Sequence, residues 1–127
     1  MRLLLDTHAF LWWLEDSPSL SAQARAAISD ASTEIFVSAA TAWEIAIKHA
    51  LGRLVFPIAR IEEIVAEAGF VPLPVLMAHA VAAGALPQIH QDPFDRMLVA
   101  QAQKEGLTIM TDDRKIPHYA VAAMSAR

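Results

Sequence analysis

Four short stretches of the sequence carry carboxylates where an apolar element begins or ends. The six acids in these stretches are Asp6, Glu44, Asp92, Asp95, Asp112 and Asp113. Two of the stretches follow runs that are typical of buried parallel strands, and two lie near the N-terminal ends of predicted helices. If these ends converge in space, several like charges share one pocket, and such a pocket needs a cation to stay ionised.

The types of the candidate ligands indicate which cation that would be. Ligation by oxygen atoms alone favours hard divalent ions, Mg²⁺ first and Mn²⁺ as a substitute. The chain has no cysteine, and its five histidines show no ligand spacing such as HExxH, so we nominate none of them as a metal ligand. A Mg²⁺ ion held by few carboxylates keeps open positions for a substrate phosphate, which favours phosphodiester hydrolysis. Residue chemistry alone does not choose between a nuclease and a phosphatase.

Asp95 is the acid that a structural role explains least. It begins the apolar stripe of its predicted helix, which continues through Leu98, Val99 and Ala102. An unpaired charge on such a stripe is expensive unless it points into a cleft that holds a cation. Asp92 directly precedes Pro93 and is the better helix cap, with a further role beside the metal left open. Arg96 could pair with Asp92 on the outer side of this helix.

Glu44 has two competing interpretations. Lys48 follows four residues later, in the order that favours an exposed ion pair worth roughly 0.3–0.5 kcal/mol. Against this, Ser38, Thr41 and Glu44 recur every three residues and give the helix a small polar face, as a metal site would require. We favour the functional interpretation.

The acids that follow strands also have structural alternatives. Asp6 and Thr7 would form an ordinary helix N-cap, which contributes about 1 kcal/mol. Asp112 and Asp113 lie where the chain leaves a strand, and turns favour aspartate in any case. Because the two are adjacent, we expect at most one of them to face the acidic cluster, and the residues leave the choice open.

The elements that must position these acids form an α/β pattern. Short apolar strands alternate with helices, which predicts an α/β sandwich around a mainly parallel sheet of four to five short strands. The predicted strands cover residues 2–5, 34–37, 70–71, 107–111 and 119–121, and the helices cover 7–15, 21–30, 38–51, 60–68, 75–83 and 92–104. Ligands of such sheets bind beyond the carboxyl ends of the strands. Topology alone therefore brings the acids together.

Composition fits one domain over residues 1–127. The chain is 55% hydrophobic, and its N-terminal apolar run is too short for a signal peptide, so we expect a cytoplasmic protein. Its net charge of −4 by itself argues against a nucleic-acid binder. Four carboxylates in a metal site would remove that objection, because the remaining acids would equal the ten basic side chains.

Four segments of the chain together form a specific pattern. They are LLLDTHAFLWW, VSAATAWEIAIKHALGRL, HQDPFDRMLVAQAQKEGLTIMTDD and the trailing Tyr119-Ala-Val, in this order. In combination they resemble the PIN-domain ribonucleases, and more narrowly the VapC-type toxins of bacterial toxin–antitoxin pairs. The resemblance covers nearly the whole chain, and the combined motifs are specific where no single one would be. It implies a PIN-like three-layer α/β/α sandwich.

The resemblance also implies a set of site residues. The acidic quartet of the family falls on Asp6, Glu44, Asp95 and one acid of the TDD sequence. The family's T-x-D spacing selects Asp113, with Asp112 as the alternative. Asp6 and Asp95 are implied as principal Mg²⁺ ligands, and Glu44 and Asp113 complete the pocket. Residues that would support these acids or contact substrate are Thr7, Ser38, Thr41, Asp92, Arg96 and Asp112.

The activity implied is that of a Mg²⁺-dependent endoribonuclease that uses an activated water. The resemblance further implies homodimerisation and inhibition by a small antitoxin encoded next to the chain. Two alternatives stay open. One is a PIN-like module that binds RNA or protein without cleavage, and the other is a metal-dependent phosphatase or DNA nuclease.

Overall fold

The computed structural model describes residues 1–127 and builds them around a five-stranded parallel sheet. The strands are β1 (Arg2–Leu5), β2 (Glu34–Ser38), β3 (Val71–Leu73), β4 (Thr108–Thr111) and β5 (Ala123–Ser125). Their order across the sheet is β3-β2-β1-β4-β5, and every neighbouring pair is parallel. Leu4 in the central strand lies opposite Phe36 on one side and Ile109 on the other. The predicted fold class is confirmed.

Six α-helices cover this sheet. They are α1 (Thr7–Leu14), α2 (Ala22–Ser29), α3 (Ala39–Ala50), α4 (Ile61–Glu67), α5 (Met77–Ala85) and α6 (Pro93–Glu105). Two short 3₁₀ turns, Ile58–Arg60 and Ile116–His118, complete the regular structure. None of the helices is long and apolar enough to cross a membrane.

The alternation of side chains along β1 separates two hydrophobic cores. Leu3 and Leu5 pack with side chains of α1, α2 and α4 on one face of the sheet. Leu4 points to the other face, where it joins apolar residues of α5 and α6. All three leucines are fully buried, as expected for a central parallel strand covered on both sides. The result is a three-layer α/β/α sandwich.

Two predicted elements are displaced along the chain, the helix by two residues and the last strand by four. The helix expected over 75–83 covers Met77–Ala85 and runs through Gly84. It ends because Leu86 precedes Pro87 and takes an extended backbone, as residues before proline do. The last strand was expected at 119–121, yet it lies at Ala123–Ser125. Tyr119 is instead a buried core residue that directly follows a 3₁₀ turn.

The sheet order places the ends of β1 and β4 side by side. Leu5, the last residue of β1, is paired with Met110, and the backbone N–H of Asp6 donates to the carbonyl of Met110 at 3.0 Å. Asp6 and the Asp112–Asp113 pair therefore leave the sheet at the same edge. Helices α3 and α6 contact each other, so acids on these helices can approach that edge.

Candidate active site

A polar pocket of about 410 Å³ opens at this edge of the sheet. Eleven residues line it, none of them hydrophobic, and all six acids singled out in the sequence are among them. Lys48 and Arg114 are the lysine and arginine in the lining, and His8 and His90 complete its ionisable side chains. A larger cavity of about 520 Å³ between α3, α4 and β3 has a mainly apolar lining and holds none of these acids.

Asp6 is both a helix cap and a buried pocket acid. Its Oδ1 accepts the backbone N–H of Ala9 at 2.8 Å, which fixes the start of α1. Only 4% of the residue is exposed. Burial raises the pKa of Asp6 to about 6, although the Thr111 hydroxyl and the Ala9 N–H act in the opposite direction. The cap does not fully compensate the buried charge.

Asp95 faces the same pocket from the first turn of α6. The predicted cap, Asp92, is confirmed, because its Oδ1 accepts the N–H groups of Phe94 at 2.8 Å and of Asp95 itself at 3.3 Å. The side chain of Asp95 therefore does not cap the helix. Burial, followed by the charges of Asp92 and Asp6, raises the pKa of Asp95 to about 7, while His90 lowers it.

Glu44 is held from two sides. The Thr7 hydroxyl donates to its Oε1 at 2.6 Å, and the Lys48 ammonium lies 2.8 Å from its Oε2. The Thr41 hydroxyl is 3.3 Å from that of Thr7, so both threonines support this acid. The ion pair with Lys48 and the place in the pocket therefore coexist. Ser38 lies elsewhere, capping α3 and donating to Gln101 at 2.6 Å.

Asp112 and Asp113 both line the pocket but approach different neighbours. Asp112 lies 3.3 Å from Nδ1 of His8 and 3.4 Å from Arg127, and its charge raises the pKa of Asp6. The charge of Asp113 instead raises the pKa of Asp95. Although partial burial raises the pKa of Asp113, hydrogen bonds from the Lys115 N–H and His90 prevail and lower it.

Sequence reasoning missed the place of His90 in the pocket and predicted the wrong partner for Arg96, which lies outside it. His90 enters the acidic cluster, where its Nε2 is 3.0 Å from both Asp95 Oδ2 and Asp113 Oδ2. The sequence signal for His90 was its position two residues before Asp92, which places it close to the acids at the start of α6. The expected pairing of Arg96 with Asp92 is wrong, because Arg96 is buried and donates to the backbone carbonyls of residues 83, 86, 87 and 90.

The donor set fits a divalent cation. Asp95 and Asp113 offer carboxylate oxygens that lie with His90 Nε2 inside 4.8 Å, and Asp6 is close enough to raise the pKa of Asp95. Burial makes the ionised forms of Asp6 and Asp95 costly in the absence of a cation, as their raised pKa values indicate. A bound cation would remove that cost, and hard oxygen donors suit Mg²⁺ or Mn²⁺.

Comparisons with known proteins agree with this fold. The family model described as PIN domain matches residues 3–122. The VapBC2 structure of Rickettsia felis, bound to a DNA fragment from their promoter, is similar with a TM-score of 0.73 and 12% identity, covering 100% of both chains. A toxin–antitoxin complex from Klebsiella pneumoniae has a TM-score of 0.70 and 17% identity, covering 98% of each chain.

A DNA-bound VapBC from Salmonella typhimurium is also similar, with a TM-score of 0.69 and 16% identity over 100% of this chain and 99% of that one. No curated protein sequence matches the chain. At these identities the structural matches establish the fold, while the match over residues 3–122 identifies the family.

Proposed function

The chain belongs to the PIN-domain family, and from this we propose that it is a Mg²⁺-dependent endoribonuclease that acts as the toxin of a toxin–antitoxin pair. One observation carries the proposal. Asp6, Glu44, Asp95 and the Asp112–Asp113 pair, which come from four separate segments, meet in one pocket without hydrophobic lining. Burial there raises the pKa of Asp6 and Asp95 to about 6 and about 7, so the pocket favours a cation.

The residues divide the work as follows. Asp6 and Asp95 are the principal metal ligands, and Glu44 and Asp113 complete the acidic pocket. When bound, the Mg²⁺ ion, or Mn²⁺ in its place, polarises a phosphoryl oxygen and makes a water a better nucleophile. Thr7 and Lys48 keep Glu44 in place at 2.6 Å and 2.8 Å. Lys48 and Arg114 also line the pocket, where they can attract the substrate phosphate.

The proposed partners rest on the relatives and on exposed apolar surface. The Klebsiella pneumoniae relative was solved as a toxin–antitoxin complex, and we propose a small antitoxin with a basic side chain near the acidic pocket as the partner of this chain. We also propose a homodimer. Both assemblies need apolar surface, and Met77 and Val81 on α5 are 87% and 74% exposed. Light scattering of the purified chain measures the oligomeric state.

The first test compares RNA cleavage by the wild type, Asp6→Asn and Asp95→Asn in Mg²⁺ and in EDTA. We expect both substitutions and EDTA to reduce cleavage by on the order of 100-fold or more, since even groups beside metal ligands cost 10–100-fold. Asp30→Asn is the matched control, because this aspartate is fully exposed and lies outside the pocket.

Each alternative has its own outcome in this test. Full cleavage by Asp6→Asn or Asp95→Asn would contradict the assigned ligands. Hydrolysis of DNA or of a phosphomonoester, with RNA left intact, would assign a DNA nuclease or a phosphatase. Metal-independent RNA binding without cleavage would indicate a binding module. For the toxin role, we expect induced expression of the wild type, but not of Asp6→Asn, to arrest growth.

A further inference from the structure

His90 is the one side chain that contacts two carboxylates of the acidic pocket at once. Its Nε2 lies 3.0 Å from Asp95 Oδ2 and 3.0 Å from Asp113 Oδ2, and only 12% of the side chain is exposed. The geometry of a hydrogen bond is met toward Asp113. Without His90, the two carboxylates would face each other with ligand oxygens less than 4.8 Å apart.

The other ring nitrogen fixes the tautomer of His90. Nδ1 accepts the backbone N–H of Asp92 at 3.2 Å, so this nitrogen carries no hydrogen. The ring hydrogen of the neutral imidazole must then be on Nε2, where it points at Asp113. A nitrogen that carries hydrogen has no lone pair for a metal, so in this arrangement His90 is a donor to the acids and not a ligand.

A buried platform holds the backbone of His90. Its N–H donates to the Tyr119 hydroxyl at 2.7 Å, and its carbonyl accepts from Arg96 at 3.2 Å. Arg96 also donates to the carbonyls of Ala83 and Leu86 at 2.9 Å and 3.1 Å, which ties the loop to the end of α5. The imidazole therefore enters the pocket from a rigid support.

Asp113 has little freedom to coordinate an ion by itself. Its Oδ1 accepts the N–H groups of Lys115 at 2.7 Å and Ile116 at 3.3 Å, and its Oδ2 accepts from His90. Asp95 differs, because no hydrogen-bond donor of the chain contacts its Oδ1. Both oxygens of Asp113 thus accept hydrogen bonds, one of them from His90, whereas Asp95 keeps its Oδ1 available for a metal.

We propose that His90 is a positioning residue, which anchors Asp113 through its Nε2 hydrogen and holds Asp95 beside it so that a divalent cation meets a preformed site. The inference rests on the proposed function, since it assumes that the pocket binds a metal. His90 is not one of the four acids of the quartet, and its role is to orient two of them. Asp92 supports this role, because its backbone N–H donates to His90 Nδ1.

The test measures Mn²⁺ and Mg²⁺ binding to the metal-free full chain by calorimetry, with His90→Ala, His90→Gln and the wild type compared. We expect His90→Ala to weaken Mn²⁺ affinity by about 10- to 100-fold, the usual effect of losing a group that orients a ligand. His90→Gln should stay within a few-fold of the wild type, because its amide supplies an N–H donor near the Nε2 position. His118→Ala is the matched control, since His118 is exposed and lies outside the pocket.

Three results would overturn the inference alone. The first is a wild-type Mn²⁺ affinity in His90→Ala. The second is an equal loss of Mn²⁺ affinity in His90→Gln and His90→Ala, which would make the imidazole a direct ligand. The third is an NMR spectrum of the metal-free wild type that places the imidazole hydrogen on Nδ1. The NMR measurement needs no variant and is independent of folding defects. Absence of any Mn²⁺ or Mg²⁺ binding by the wild type would instead overturn the proposed function, and the inference with it.

Discussion

Asp92 and Asp95 differ in role because of what their oxygens contact, although only two residues separate them. Asp92 accepts two backbone N–H groups at the start of α6, and this caps the helix. Asp95 receives no such bond, and burial followed by the neighbouring acids raises its pKa to about 7. The same residue type thus provides structure at one position and a candidate ligand at the other. Glu44 combines both roles, since Lys48 pairs with it inside the pocket.

Lys48→Met tests the charge balance of the pocket. The substitution keeps an unbranched apolar stem and removes the ammonium that lies 2.8 Å from Glu44 Oε2. We expect Mn²⁺ affinity to rise by about 2- to 5-fold, as is usual for a partly exposed charge, because the pocket becomes more negative. The KM for RNA should rise, because a cation that attracts the phosphate is lost. Calorimetry and steady-state kinetics measure the two effects.

Lys104→Met is the control for this prediction, because Lys104 is exposed on α6 and lies outside the pocket. It should leave both Mn²⁺ affinity and KM unchanged. Weaker Mn²⁺ binding by Lys48→Met would contradict the electrostatic argument and show that Lys48 acts mainly by orienting Glu44.

At the scale of elements, the features set by local sequence were predictable. Asp6, Ser38 and Asp92 each cap a helix by bonding N–H groups two or three residues ahead, so the cap can be recognised from neighbouring residues. The central strands were equally clear, because a run buried on both faces is continuously apolar. These elements predicted which edge of the sheet the six acids would share.

The features that depend on distant contacts were not predictable. The loop that carries His90 is held by the Tyr119 hydroxyl, 29 residues away along the chain. Arg96 finds backbone carbonyls 6 to 13 residues before it, where its sequence suggested only a neighbouring acid. No local spacing signals such contacts. The displaced last strand belongs to the same class, since buried Tyr119 occupies the segment where that strand was expected.

Arg96→Lys tests the platform that these contacts build. Lysine cannot reproduce the planar fork of donors that reaches the carbonyls of Ala83, Leu86, Pro87 and His90. We expect the free energy of unfolding to fall by about 2–4 kcal/mol, because several buried carbonyls lose their donors. Urea unfolding measures this loss, and hydrogen exchange should locate the loosened amides in residues 86–92.

Arg53→Lys is the matched control, because Arg53 is an exposed arginine far from the carbonyls that Arg96 contacts. Its stability should equal that of the wild type. If Arg96→Lys unfolded at the wild-type urea concentration, the guanidinium would not be what holds the loop, and the support proposed for His90 would lose its basis.

At the scale of the whole molecule, the fold concentrates like charge at one place. The chain has 14 acidic side chains, and six of them line a single pocket. Hydrophobic burial on both faces of the sheet must hold these groups together, because their mutual repulsion opposes folding. A cation that binds only the folded chain shifts the balance toward the folded state. Stability should therefore depend on both metal and pH.

The pH dependence follows from Asp6 and Asp95. Their pKa values are about 6 and about 7 in the folded chain, against an ordinary value of 3.8. Between pH 4 and 7 the folded chain thus binds more protons than the unfolded chain, and stability falls as pH rises through this window. Asp113, whose pKa is lowered, changes stability only at more acidic pH. In EDTA, we expect a lower Tm at pH 8 than at pH 5.

A divalent metal should restore the stability that the chain loses at high pH. Mg²⁺ competes with protons for the carboxylates, so it should raise the Tm more at pH 8 than at pH 5. Asp95→Asn removes the acid with the more strongly raised pKa, and in EDTA at pH 8 it should be more stable than the wild type by about 1–3 kcal/mol. It should also lose most of the stabilisation by Mg²⁺, whereas Asp30→Asn should follow the wild type. An equal Mg²⁺ effect in Asp95→Asn would contradict the assignment of Asp95 as a principal ligand, since five other acids of the pocket would remain.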